Sequence, residues 1–379
     1  MDNIEKDTTT NVSLRWVVIK GILIFVIINI IFVAIHPVPY FSKISVYNYF
    51  FPGRVRLPYG DIPNQAYNLS LYSLDAMFAS HELSAPGKPS NEYRVILIGD
   101  SSVWGYLLKP EEMLSADINS KNLKLKDGRV VHAYNLGYPT LSLAKDLILL
   151  DYAMRYSPDL IVWLVTLESL PNEKQLDSPI IQNNPALIQN LISKYSLNLN
   201  SHDSRLVTSN FWTSTLIGER RSLADIIHLQ LYGVMWAATG IDQYYPASYD
   251  PPQENLSTDK SFHNLLPPSL LPADLSLDIL SAGYQIADNI PVIYINEPIY
   301  VSHGENSDIR YNFFYPRWAY DQYRQLFSDM CVSQNWQCLD EWNLVPPEEF
   351  TNSAIHMSPT GTQMLATEIE GSILSLSSP

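Results

Sequence analysis

The sequence predicts a parallel α/β sheet with right-handed crossovers, preceded by one membrane-spanning helix. Three observations predict it. Short apolar, β-branched runs recur and stop at glycine or a polar residue, as buried parallel strands do. Helical patterns lie between the runs, and strand–helix alternation builds parallel sheets. Near the N-terminus stands an apolar stretch much too long for a strand.

That stretch runs from Trp16 to Ile35 (WVVIKGILIFVIINIIFVAI), with Lys20 and Asn29 as its polar interruptions. As a helix it is roughly 30 Å long, the thickness of a bilayer core. Lys20 stands near one end, where it can snorkel to the head groups. A buried soluble helix and a cleaved signal peptide are the rival readings. Few small residues are available for cleavage in Val33-Ala34-Ile35-His36-Pro37, so an uncleaved signal anchor is favoured. The expected organisation is a cytoplasmic tail and anchor over 1–36, a Pro- and Tyr-rich stalk or wrap over 37–91, and one domain over 92–379.

The strands follow in order. Tyr93–Ile98 (YRVILI) ends at Gly99, Val130–Leu136 (VVHAYNL) ends at Gly137, and Leu160–Thr166 (LIVWLVT) and Val292–Asn296 (VIYIN) each follow a proline-bearing turn. Helices are predicted over Lys109–Lys121 and Leu141–Tyr156. Between the third and fourth strands lies an insertion of about 168–281, with a helix over Leu216–Thr239 and a Tyr- and Pro-rich loop after it. An insertion of that size usually carries function.

Composition narrows the function classes. The 379 residues carry 24 basic and 39 acidic side chains, a net charge of −15, which excludes general phosphate-backbone binding. No nucleic-acid partner is expected. Tail charges do not orient the anchor: Lys6, Arg15 and Lys20 face Asp2, Glu5 and Asp7, with Lys43, Arg54 and Arg56 beyond the span. Cys331 and Cys338 are close enough to close a small loop, and pairing would place the domain in an oxidising compartment outside the cytoplasm. No metal-ligand spacing and no Gly-rich phosphate loop occur, so neither a metal nor a cofactor is expected.

Two segments carry candidate chemistry. The first strand runs into Gly99-Asp100-Ser101-Ser102-Val103-Trp104-Gly105, the place where ligands bind in an open α/β sheet. Ser101 there is a candidate nucleophile with its own N–H aimed at an oxyanion. The bland reading is a strand-to-helix turn capped by Ser101 or Asp100. Near the C-terminus, FTNSAIHMSPTGTQMLA places His356 just before a helix capped by Ser358 with Pro359 at its first position. A histidine so fixed suits a general base.

Together the Gly-Asp-Ser start and the His-x-Ser-Pro-x-Gly end resemble the GDSL/SGNH hydrolase superfamily, over about Arg94 to Ile373. The resemblance implies a three-layer α/β/α, flavodoxin-like sheet, Ser101 as nucleophile and His356 as base. It also implies oxyanion donors from the Ser101 N–H, a second block and a third block. The second block here is Asn135-Leu136-Gly137-Tyr138-Pro139-Thr140, making Gly137 and Thr140 the candidates, with Asp100 beside them. The third block departs from Gly-x-Asn-Asp. It reads Thr166-Leu167-Glu168-Ser169, and an ionised Glu168 cannot donate; Asn172 is a nearby substitute. The family's orienting Asp is replaced by Ser353, leaving Asn352 or Asp340 to hold the imidazole. His303 and Glu297, after the fourth strand, stand at the same sheet edge.

The function implied is a membrane-anchored, extracytoplasmic serine esterase or O-acyltransferase, acting on acylated small molecules or cell-envelope glycans. The alternative is a non-catalytic scaffold or glycan-binding component of an envelope assembly.

Overall fold

The computed structural model describes residues 13–51, 53–60, 73–85, 87–239 and 244–376. Residues 1–12 of the expected tail, part of the stalk and residues 240–243 just before the Tyr- and Pro-rich loop lie outside them. Five parallel strands form one sheet: β1 (Glu92–Ile98), β2 (Val130–Asn135), β3 (Leu160–Val165), β4 (Val292–Asn296) and β5 (Gln337–Asp340). Their order is β2-β1-β3-β4-β5, the flavodoxin-like order, whose ligand crevice opens at the carboxyl ends where β1 and β3 diverge. β5 was not foreseen. Its four residues, QCLD, are too short and too polar for an apolar run, and pairing with β4 makes the strand.

Alternate strand residues face opposite layers. Ile96, Ile98, Trp163 and Tyr294 point into one core, and Val95, Leu97, Val162, Ile293 and Ile295 into the other. Thirteen α-helices are described. α1 (Leu14–Ile35), α2 (Val38–Ser42), α3 (Val46–Phe50) and α4 (Leu74–Ser80) precede the sheet. α5 (Ser101–Trp104) and α6 (Leu114–Ser120) follow β1, and α7 (Leu143–Ala153) follows β2. The insertion holds α8 (Pro179–Asn183), α9 (Pro185–Tyr195) and α10 (Arg220–Thr239), and then α11 (Leu277–Ala287), α12 (Arg317–Gln334) and α13 (Pro359–Leu376) complete the layers. α7, α11 and α12 cover the first face, and α6 and α13 the second. The predicted helix over Lys109–Lys121 is a 3₁₀ turn at Pro110–Glu112 followed by α6.

Of the segment read as stalk, much packs on the domain. Tyr47, Leu57 and Phe78 are buried, and Arg54 and Arg56 are buried with them. Arg56 donates to Gly105 O (2.9 Å) and Leu108 O (3.2 Å) and lies over the Trp104 ring. Trp104 Nε1 in turn donates to Leu57 O at 3.0 Å. The wrap thereby braces the turn that carries Ser101. Cys331 on α12 and Cys338 on β5 form a disulfide.

Candidate active site

The site grows from two chain reversals. β1 stops at Gly99, and Asp100 caps α5 by accepting the Ser102 N–H at 2.8 Å. Ser101 becomes the first residue of α5, so its N–H has no acceptor within the helix. At the other end of the chain, Ser358 Oγ accepts the Gly361 N–H at 3.2 Å and starts α13. Thr351 N–H donates to His356 O at 2.8 Å, closing the loop that presents the imidazole.

These reversals meet. Ser101 Oγ lies 2.8 Å from His356 Nε2, across 255 residues of sequence. His356 Nδ1 lies 2.9 Å from Asn352 Oδ1. With the carboxamide oxygen toward the ring, Nδ1 carries the proton and Nε2 accepts from the Ser101 hydroxyl. Burial pushes the His356 pKa down to about 4, which keeps the imidazole neutral and able to take a proton. A neutral Asn352 does not counter that shift as a carboxylate would. Tyr106 stacks on the imidazole, 4.6 Å between centroids. Its position, directly after Gly105, gave no signal in sequence.

The expected anion-binding residues are arranged differently. Gly137 N–H donates to Asn135 Oδ1 (2.9 Å) rather than into the cleft. The glycine is needed for close packing: a Cβ there would stand 2.3 Å from Trp104 N, against the backbone of α5. Thr140 N–H donates to Tyr138 O at 2.6 Å, and its hydroxyl lies 3.2 Å from Ser178 Oγ. Glu168 is an ion-pair partner, bonded to Lys174 Nζ (2.5 Å) and His263 Nε2 (3.1 Å). Burial would raise its pKa, but His263 and Lys174 outweigh that and lower it. Asn172 bonds Ala273 O and Ser276 Oγ, both at 2.6 Å. Asp340, the alternative orienter, is held by Arg324 (2.6 Å) and Asn296 (2.7 Å).

Below Ser101 lies a buried charged network. Lys145, fully buried, donates to Gly99 O (2.7 Å), Tyr138 O (3.1 Å) and Asp146 Oδ1 (2.5 Å). It ties the first block to the second. Asp100 is buried beside it, and burial raises its pKa against the pull of the Ser102 N–H and Lys145. Ser102 Oγ donates to Glu297 Oε2. Burial first, and the Asp100 charge second, push Glu297 well above the usual carboxylate range. The buried Asp100 carboxylate favours the neutral form of Glu297. Asp100 and Glu297 thus shape the floor of the turn.

Past the end of β3 a cavity of about 380 Å³ is lined by Glu168, Gln253, Asp259, His263, Arg310 and Phe313, among others. Among the described residues no group of three His, Cys, Asp or Glu could hold a metal ion.

No family model and no curated protein matches the chain. Solved structures similar to it include a carbohydrate acetylesterase family member from Sinorhizobium meliloti, at 11% identity and TM-score 0.34, covering 76% of this chain and 99% of that one. A catalytic mutant of an acetylxylan esterase from Geobacillus stearothermophilus shows 10% identity and TM-score 0.36, with 74% and 94% covered. The aryl esterase of M. smegmatis shows 10% identity and TM-score 0.34, with 75% and 99% covered.

Proposed function

We propose that this protein is a membrane-anchored serine esterase or O-acyltransferase acting on ester-linked acyl groups, with cell-envelope or exported glycans as the favoured substrates. The observation that carries the reading is the hydrogen-bonded line Ser101–His356–Asn352 at the carboxyl edge of a parallel sheet. His356 Nε2 takes the hydroxyl proton as Ser101 Oγ attacks the ester carbonyl. Asn352 holds the imidazole in the required tautomer, as in Cys-His-Asn enzymes. The Ser101 N–H faces the developing oxyanion. Collapse breaks the ester C–O bond, His356 returns its proton to the leaving alcohol, and the acyl-serine passes its acyl group to water or a second hydroxyl.

Anchoring is supported by α1, a 22-residue helix long and apolar enough to cross a membrane, whose apolar side chains are mostly exposed. The Cys331–Cys338 disulfide supports an extracytoplasmic domain.

The test is covalent labelling of the full-length protein in detergent with a fluorophosphonate probe, beside turnover of p-nitrophenyl acetate. Wild type should be labelled and Ser101→Ala should not. Equal labelling of the two would sink the proposal. The inward-turned Gly137 N–H and the anionic Glu168 favour a second reading, a glycan-binding component without turnover. Failure to label, with retained binding to an acetylated glycan, would select it.

A further inference from the structure

The part of the insertion over 205–239 reaches back toward the N-terminal helix. Leu216 N–H donates to Asn29 Oδ1 at 3.1 Å, and Asn29 Nδ2 donates to Phe25 O at 2.9 Å. Asn29 is the buried residue of α1; its neighbours are exposed. It stands six residues before the end of the helix at Ile35, about 9 Å below the end of the span. A carboxamide at that depth is costly unless its polar atoms are satisfied, and a backbone N–H of the insertion satisfies it.

A second clamp lies beyond the span. Gln230 of α10 donates to Ile44 O (2.7 Å) and accepts the Val46 N–H (2.6 Å). Gly233 lets α10 press on α3, since a Cβ there would stand 2.0 Å from the Tyr47 ring. One stretch is therefore bonded both inside the span and just outside it. Its outward surface carries large exposed apolar side chains among polar ones. Trp212 is 76% exposed and Ile217 52% exposed on the turn before α10. Ile227, Leu231 and Val234 are exposed along α10, at the i, i+4, i+7 spacing of a single helix face. Tyr49 and Phe50, on the segment clamped by Gln230, extend the same character. A patch of this kind marks an interaction site, and its continuity with α1 identifies the partner as lipid.

We infer that residues 207–235 form a second membrane contact. The turn carrying Trp212 and Ile217 enters the bilayer beside α1, and α10 lies at the interface with Ile227, Leu231 and Val234 toward the acyl chains. The domain is thus seated on the membrane at two points rather than tethered by one. The inference rests on the anchoring reading of α1.

The test uses the full-length chain in vesicles of phosphatidylcholine and phosphatidylglycerol. Single added cysteines replace Ile24, Trp212, Leu231 and the exposed Leu271, each spin-labelled while the native disulfide stays oxidised. Collision with oxygen reports lipid, and collision with a nickel chelate reports water. Positions 24, 212 and 231 should favour oxygen, and 271 the chelate. Oxygen access at 24 with chelate access at 212 and 231 overturns the inference and leaves the anchor standing. Chelate access at 24 overturns both. Protection of 212 and 231 from both reagents assigns the patch to a second copy or another protein, and overturns the lipid contact. The unmodified chain gives an independent reading: a diazirine phospholipid should mark peptides from 207–235 as well as α1, and marking of α1 alone refutes the second contact.

Discussion

The two banks of the catalytic edge are built to different standards. On one bank, the turn after β1 and the loop before α13 bring Ser101, His356 and Asn352 into one hydrogen-bonded line. On the other, the turns after β2 and β3 direct their polar groups elsewhere: Gly137 N–H goes to Asn135, and Glu168 goes to Lys174 and His263. A nucleophile needs its base within about 3 Å, whereas an oxyanion can be met by any correctly aimed donor. On the proposed reading, the comparison teaches that proton transfer is preorganised, while anion stabilisation falls chiefly to the Ser101 N–H.

The largest effects should come from the first bank. Ser101→Ala and His356→Ala should each lower ester turnover by about 10⁴-fold or more, and the double variant should be little worse than either, because the two act as one unit. Steady-state rates of the three variants check this. Simple multiplication of the two losses would mean that the pair does not act together.

Asn352 should matter less. Asn352→Ala leaves the Ser–His bond but frees the ring to rotate, and turnover should fall by about 10- to 100-fold. The pH profile sharpens the point. In the proposed mechanism neutral His356 is the base, and burial lowers its pKa to about 4. Wild-type turnover should therefore rise as pH rises through about 4 and stay level above. Asn352→Asp places a carboxylate beside the imidazolium, favours the charged form and moves that limb to higher pH. An unmoved limb would show that position 352 does not hold the ring.

A smaller effect is expected on the second bank. Glu168→Asn removes an anionic carboxylate and offers an N–H donor at the third-block position. Turnover should rise about tenfold or less, within the range that one oxyanion donor commands. The same change strips partners from Lys174 and His263 and should lower the melting temperature. Reading kcat and Tm separately keeps the effects apart. A fall in Tm with unchanged kcat would place Glu168 outside reach of the oxyanion.

What was legible follows from this asymmetry. Four strands could be read because buried parallel strands are continuous apolar runs. Ser101 and His356 stood out as candidates through the Gly-Asp-Ser and His-x-Ser-Pro-x-Gly motifs, and each stands at a turn whose capping is local: Asp100 caps α5, and Ser358 caps α13. Asn352 was one of two candidate orienters, and only the loop closed by Thr351 places its carboxamide at the ring. Tyr106 and Arg56 were invisible. Their roles depend on where the end of α5 and the turn after it meet the His356 loop and the N-terminal wrap, and no local pattern encodes such contacts. Lys145 was equally hidden, since a lysine in an apolar helix reads as a surface residue until its ammonium is found among the carbonyls of Gly99 and Tyr138.

The smallest effect on turnover is expected far from both banks. The Cys331–Cys338 disulfide joins α12 to β5, with a sequence separation of 7. Closing so short a loop restricts the unfolded chain and contributes about 2.5 kcal/mol. β5 is an edge strand held on one side by β4, and the ladder there ends at the Asn296–Asp340 pair. Neither residue touches Ser101 or His356. Cys331→Ser with Cys338→Ser should thus lower Tm by several degrees, given the size of the domain, and leave kcat within about twofold. A matching loss of kcat at a temperature where the variant is fully folded would mean that β5 transmits order to the catalytic edge through Asn296 and the neighbouring Glu297. The floor under Ser101 would then be set by the whole sheet rather than by the turn after β1.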